Sequence, residues 1–197
     1  MATTAASSQR NGIDVDQLVQ TVKAIQEHPA LARFQFRAHA TWEGGARSRT
    51  TIQGFYGAGQ EDTSRAQPFE IRGDEPPVLL GTNTAPNAVE TVLAALASCL
   101  AVGFIYNAAA QGITVQALEF DLAGDLDLQG FLGLSDQVRP GFEHLTLTYR
   151  VRADAPREKL VELCQYVQRT SPVLDIIRNP VPVTITLADR PVSKPTE

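Results

Sequence analysis

The side chains best suited to covalent chemistry are two cysteines, Cys99 and Cys164. They form no C-x-x-C pair and cannot build a disulfide framework, so they suit a reducing, cytoplasmic setting. A thiol reacts as the thiolate, and an ordinary one must fall by ~2 pKa units, or ~2.7 kcal/mol, to be ionised near neutrality. At Cys99 the helix dipole is out of reach. The N-cap candidate Asn87 lies 12 residues earlier, about 18 Å along the axis, and the dipole fades within the first turn. Apolar burial opposes ionisation. A nearby cation is therefore required, and one arginine at ~4 Å with an effective dielectric near ~20 supplies ~4 kcal/mol. Without it, Cys99 is a core cysteine, the commonest fate of the residue in a buried helix.

Other chemistries find less support. His28, His39 and His144 stand far apart with no ligand spacing, so no metal site is expected. A net charge of −5 argues against a nucleic-acid scaffold, which needs a basic surface. The cations are nearly all arginine, with lysine only at Lys23, Lys159 and Lys194. The first 11 residues are polar and lack an apolar signal core.

The elements that must hold these residues follow from periodicity. Residues 1–12 read as a disordered lead. Ile13 to Pro29 reads as an amphipathic helix capped by Asp14 or Asp16, with Leu18, Val22 and Ile25 on one face. Phe34 to Trp42 alternates apolar and polar, Gly44-Gly45 turns the chain into a second strand around Arg47 to Phe55, and Phe69 to Arg72 is a third. From Asn87 to Gly112 runs a long alanine-rich helix. Asn87 and Glu90 form its capping box, Gly112 is its C′ residue, and no charge falls between Val92 and Ala110. Such a helix is expected to be buried nearly all round. Its length also fits a membrane span, but Ser98, Gly103 and Asn107 and the lack of cationic anchors favour a core or subunit interface. Strands follow at Val115 to Leu128, Leu145 to Val151 and Val181 to Leu187. Between the last two, a helix opens near Asp154 and Pro156 and carries Leu160, Leu163, Cys164 and Val167 on one face. A second short helix is capped by Ser171 ahead of Pro172. The order is α+β rather than alternating βαβ.

Two segments carry a resemblance. NAVETVLAALASCL, from Asn87 to Leu100, resembles the central-helix signature of the OsmC/Ohr family, where an alanine-rich helix bears the reactive cysteine. TSPVLDIIRNPVPV, from Thr170 to Val183, resembles the family's second landmark, a Cys-Pro pair opening a helix before the final strand. The segments GFYGAGQEDTSR and GFLGLSDQVRPGF suggest a longer branch of that family. The resemblance divides the chain into the lead at 1–12, an N-terminal helix at 13–33, an OsmC-like domain at 34–190 and a flexible C-terminus at 191–197. It implies antiparallel sheets packed around the central helix and an intertwined homodimer with two sites at the interface.

It also implies an activity: reduction of an organic hydroperoxide by Cys99 with an external thiol or dithiol as reductant, and no cofactor, nucleic acid or membrane. A glycine-led segment carries the catalytic arginine in related enzymes, which makes Arg47 or Arg49 the candidate here. At period two both face the same side of a strand, with Arg47 preferred. Glu90 is a catalytic candidate whose simplest role is the helix cap; nine residues from Cys99, it lies on the opposite helix face. Ser171 stands where the family usually has its resolving cysteine, and a hydroxyl cannot form a disulfide. Cys164, on the apolar face of its helix, reads as a core residue before it reads as a substitute. A one-cysteine peroxidase is therefore the expected form. The alternative is a non-catalytic dimer of the same fold, binding a small apolar or acidic ligand.

Overall fold

The structure is a computed structural model that describes residues 8–189. The chain opens with a two-strand hairpin, β1 (Gln9–Arg10) and β2 (Ile13–Asp14), turning through Asn11-Gly12. Ordered backbone thus reaches into the lead expected to be disordered over 1–12. Arg10 and Asn11 donate to the carbonyls of Gly112 and Ile113, which ties the hairpin to the end of the central helix. Residues 1–7 lie outside the described residues, as does the tail expected over 191–197. Helix α1 (Val15–Glu27) follows, capped by Asp14, whose carboxylate accepts from Gln17 N at 3.0 Å.

Next comes a sheet. Strands β3 (His39–Gly44) and β4 (Arg47–Ile52) form a hairpin, and the small hairpin of β5 (Phe55–Gly57) and β6 (Gln60–Asp62) precedes β7 (Phe69–Gly73). The order is β3-β4-β7, all antiparallel. The first strand starts later than its alternation suggests: of Phe34 to Arg37, only Gln35 bridges to another strand, at Tyr56. Residues directly paired across an antiparallel ladder share a face. The pairs Ala40–Thr50, Trp42–Ser48, Thr50–Ile71 and Ile52–Phe69 therefore make an apolar face, with Arg49, Thr41 and Arg72 on the other. Trp42 is 77% exposed and Phe69 61%, so this apolar face stays largely open, with the Arg65 guanidinium 5.2 Å from the centre of the Phe69 ring.

Helix α2 (Ala88–Ala110) is the axis of the remaining half. The approach to it is set by Asp74, which is 3% exposed. Its carboxylate accepts from the hydroxyls of Thr82 at 2.6 Å and Thr84 at 2.8 Å, and from the Thr84 N–H at 3.0 Å. A Cβ at Gly81 would lie 1.8 Å from the Glu75 carbonyl oxygen, so only glycine fits that crossing. Beyond α2, β8 (Val115–Asp125) and β9 (His144–Ala153) form a long hairpin, with α3 (Leu128–Phe131) in the connecting loop. Helices α4 (Arg157–Thr170) and α5 (Pro172–Arg178) complete the layer.

The core lies where α2 meets α4, α5 and the inner face of β8-β9: Leu96, Leu100, Phe104 and Ala108 pack on Leu163, Val167 and Leu174. Gly103 lets α4 close in, since a Cβ there would meet Val167 Cγ1 at 3.0 Å. Among the described residues, however, α2 is covered on one side only. Val102 is 50% exposed and Tyr106 45%, which corrects the expectation of burial nearly all round. The expected strand at Val181 to Leu187 does not form. That segment is coil, with Ile185 89% and Leu187 98% exposed, because no strand among the described residues pairs with it.

Candidate active site

Cys99 sits near the middle of α2, one position before the fully buried Leu100. Its Sγ lies 3.2 Å from the Oγ of Ser171. Ser171 is 5% exposed and caps α5, its oxygen accepting from Leu174 N at 3.2 Å. Either the hydroxyl or the thiol can donate in this contact. Two elements thus bring together residues 72 positions apart in the chain. The hydroxyl that opens α5 thus meets the thiol in the middle of α2.

Cys164 lies on the inner side of α4, packed against the core, and burial pushes its thiol up, keeping it protonated at neutrality. Both cysteines are free. Sequence reasoning passed over a third group, Tyr149, which points inward from β9 between Phe104 and Phe120, its ring centroid 6.2 Å and 4.9 Å from theirs. Its hydroxyl is buried without a hydrogen-bond partner among the described residues. Burial, with smaller contributions from the charges of Cys164 and Cys99, pushes it up to about 12, so it remains a donor at any physiological pH. The available signal was its place at an inward position of the alternating run Leu145, Leu147, Tyr149, Val151.

The arginine and glutamate candidates stand elsewhere. Arg49 is held by Glu43 at 2.8 Å and Glu70 at 3.2 Å on the polar side of the β3-β4-β7 sheet. Arg47 donates to the Glu43 carbonyl at 3.4 Å and has no carboxylate partner among the described residues. Neither guanidinium bonds to Cys99 within the described chain. Glu90 completes the capping box: its carboxylate accepts from Asn87 N at 2.8 Å while Asn87 Oδ1 accepts from Glu90 N at 2.8 Å. It stands at the first turn of α2, well before Cys99, and the cap accounts for it.

Between α2, α5 and β9 lies a cleft of about 530 Å³, lined by Leu96, Leu100, Leu147 and Leu174 and by the polar residues Tyr149, Gln168, His144, Arg139 and Arg178.

Comparison with known proteins agrees with this layout. The family model described as OsmC-like protein matches residues 81–186, which span α2 and the whole layer packed on it. Among solved structures, the chain resembles the OsmC-like protein of Mycoplasma pneumoniae, with TM-score 0.55 and 16% identity over 74% of this chain and 89% of that one. It also resembles an OsmC-like protein of unknown function from Vibrio cholerae, with TM-score 0.52 and 14% identity over 72% and 92%. A third is an organic hydroperoxide resistance protein OsmC from Legionella pneumophila, with TM-score 0.50 and 16% identity over 73% and 89%. No curated protein matches the chain. At these identities the likeness speaks for the fold: mixed α and β, antiparallel sheets and a long central helix. The chain belongs to the OsmC-like family.

Proposed function

We propose that the protein is a one-cysteine thiol peroxidase that reduces organic hydroperoxides through Cys99. The observation that carries this reading is the 3.2 Å contact between Cys99 Sγ and the buried hydroxyl of Ser171. The contact sets a hydroxyl against the sulfur in an otherwise apolar setting. The thiolate attacks the outer peroxide oxygen, the S–O bond forms as the O–O bond breaks, and the alkoxide leaves as the alcohol after taking a proton. Sulfur is thereby oxidised to the sulfenic acid. An external thiol then condenses with it, releasing water and forming a mixed disulfide, and a second thiol restores Cys99. Ser171 cannot form that disulfide itself, and Cys164 is held in the core on α4.

Completion of the site by a second copy of the chain is part of the same reading. Three features support an intertwined homodimer: the largely exposed apolar face of β3-β4-β7, the exposed side of α2, and the alternating segment from Val181 to Leu187, which pairs with no strand among the described residues. A partner's sheet would bring Arg47 toward Cys99. Arg49 is less available, its charge being engaged by two carboxylates.

The test compares wild type with Cys99→Ser on cumene hydroperoxide with dithiothreitol or lipoamide. Turnover that disappears in the variant, with dimedone trapping on Cys99 after peroxide, is the expected outcome. No turnover in either protein would sink the peroxidase and leave a ligand-binding dimer. Ser171→Cys sharpens the point. With a thiol in contact with the sulfenic acid, peroxide should drive a disulfide between Cys99 and the introduced thiol, visible on non-reducing mass analysis.

A further inference from the structure

We infer that Ser171 is a covalent partner of Cys99: once a hydroperoxide has oxidised the sulfur, the serine oxygen condenses with the sulfenic acid to form a Cys99–Ser171 sulfenate ester. This rests on the peroxidase reading and adds an internal resting form to it, in the place of an internal disulfide.

The step balances without a further reagent. The organic hydroperoxide leaves Cys99 as S–OH and departs as the alcohol. Serine Oγ then attacks the sulfur, and the S–Oγ bond forms as the S–OH bond breaks. The departing hydroxyl and the serine proton leave as water, and nothing is oxidised or reduced. An external thiol later attacks the ester sulfur, forming the mixed disulfide and returning the serine hydroxyl, and a second thiol frees Cys99. Sulfenic acids condense in the same way with a neighbouring thiol, or even with a backbone nitrogen.

The hydroxyl is the neighbour in place to do so. Its oxygen lies 3.2 Å from Sγ, within the ~3–3.5 Å of a near-attack arrangement. The two atoms are also held there. Cys99 stands four residues before Gly103 and Ser171 four after Val167, on either side of the seam where a Cβ at position 103 would meet Val167 Cγ1 at 3.0 Å. Helices packed that closely do not slide, and Ser171 is fixed further as the cap of α5. Leu174 N donates to Oγ at 3.2 Å, at the atom where negative charge develops as the serine proton is lost. At 5% exposure Ser171 is shielded from the water that would hydrolyse the ester. Groups so fixed react as though present at ~10⁵ M or more, beyond any external thiol. Cys164 offers no competition: it lies seven residues before Ser171, about 10 Å along α4, and burial pushes its thiol up.

The ester also answers a hazard of having one reactive cysteine. A sulfenic acid waiting for an external thiol is open to a second peroxide, which takes it irreversibly to the sulfinic acid. Esterified sulfur has no ionisable S–OH to offer that peroxide.

The test uses the full chain carrying Cys164→Ser, in which no internal disulfide is possible, treated with equimolar cumene hydroperoxide and read by high-resolution native mass spectrometry. The expected product is ~2 Da lighter than the reduced protein and reverts with dithiothreitol, whereas a persisting sulfenic acid is ~16 Da heavier. Adding Ser171→Ala should abolish the lighter species, leaving the sulfenic acid and then the sulfinic acid, ~32 Da heavier. Ser171→Thr, which keeps both hydroxyl and helix cap, should restore it. A Cys164→Ser protein that stays ~16 Da heavier, or a lighter species that survives Ser171→Ala, overturns the ester. Turnover with the sulfenic acid persisting removes the ester alone, while absence of both turnover and any oxidation at Cys99 removes the peroxidase reading with it.

Discussion

The two halves of the chain put their apolar residues to different use. Around α2, the inward faces of α4, α5 and β8-β9 close over Leu100, Phe104, Leu163 and Val167, all at most 1% exposed. In the β3-β4-β7 sheet a face with Trp42, Phe69 and Ile71 stays largely exposed, with Arg65 over the Phe69 ring. One half is satisfied by its own chain; the other carries an unused face of the kind that marks an interface. The chemistry is divided along the same line. Cys99 belongs to the finished half, and the arginines that resemblance assigns to it belong to the unfinished one.

That contrast can be broken at several points. The largest effect is expected in the finished half, where Phe104→Ala should cost about 3–5 kcal/mol in urea unfolding, since the close-packed neighbours cannot move in to fill the volume. A loss under about 1 kcal/mol would mean the packed layer is not the stable unit. Next, Arg47→Ala should lower kcat/KM for cumene hydroperoxide roughly a hundredfold, the ~2.7 kcal/mol asked of a cation beside the sulfur, while Arg49→Ala changes it little. Equal effects would show that Glu43 and Glu70 do not hold Arg49 away. In the unfinished half, Trp42→Glu should leave the fold intact but weaken self-association by about tenfold or more in sedimentation, as a charge placed in an apolar contact does. A wild type already monomeric at micromolar concentration would contradict the dimer.

The smallest effect concerns the turn that leads from β7 to α2. Hydrogen bonds from the Thr82 hydroxyl and the Thr84 backbone hold the Asp74 carboxyl far below the usual carboxylate range. Its folded value is depressed, so its contribution is complete above the unfolded value of about 3.9 and is lost as the pH falls below that. Wild type should lose stability from about pH 4 downward more steeply than Asp74→Asn, as followed by circular dichroism. Parallel curves would remove Asp74 from that role.

Much of the finished half was legible beforehand because its signals are local. The capping box of Asn87 and Glu90, the glycine after the helix, the alternation of β8 and β9 and the Ser171-Pro172 start of α5 each depend on residues within a few positions of one another. The pairing of Cys99 with Ser171 was readable only as alignment with a family pattern. Nothing along the chain reveals that Tyr149, Arg139 and Arg178 share one cleft, because they come from a strand, a loop and a helix end brought together by packing. Where expectation failed, at Val181 to Leu187 and over the outer face of α2, the alternating or apolar pattern is real but its partner is not among the described residues.

By itself, then, the order of residues determined most of the elements, their caps and the placement of a thiol in the middle of an apolar helix, since these arise from dihedral preference and periodicity over short stretches. Only the tertiary structure decided which hydroxyl meets that sulfur, which phenol is left without a partner and which apolar faces stay bare. Those outcomes depend on contacts between distant segments, and periodicity along one segment says which side is apolar without saying what will cover it.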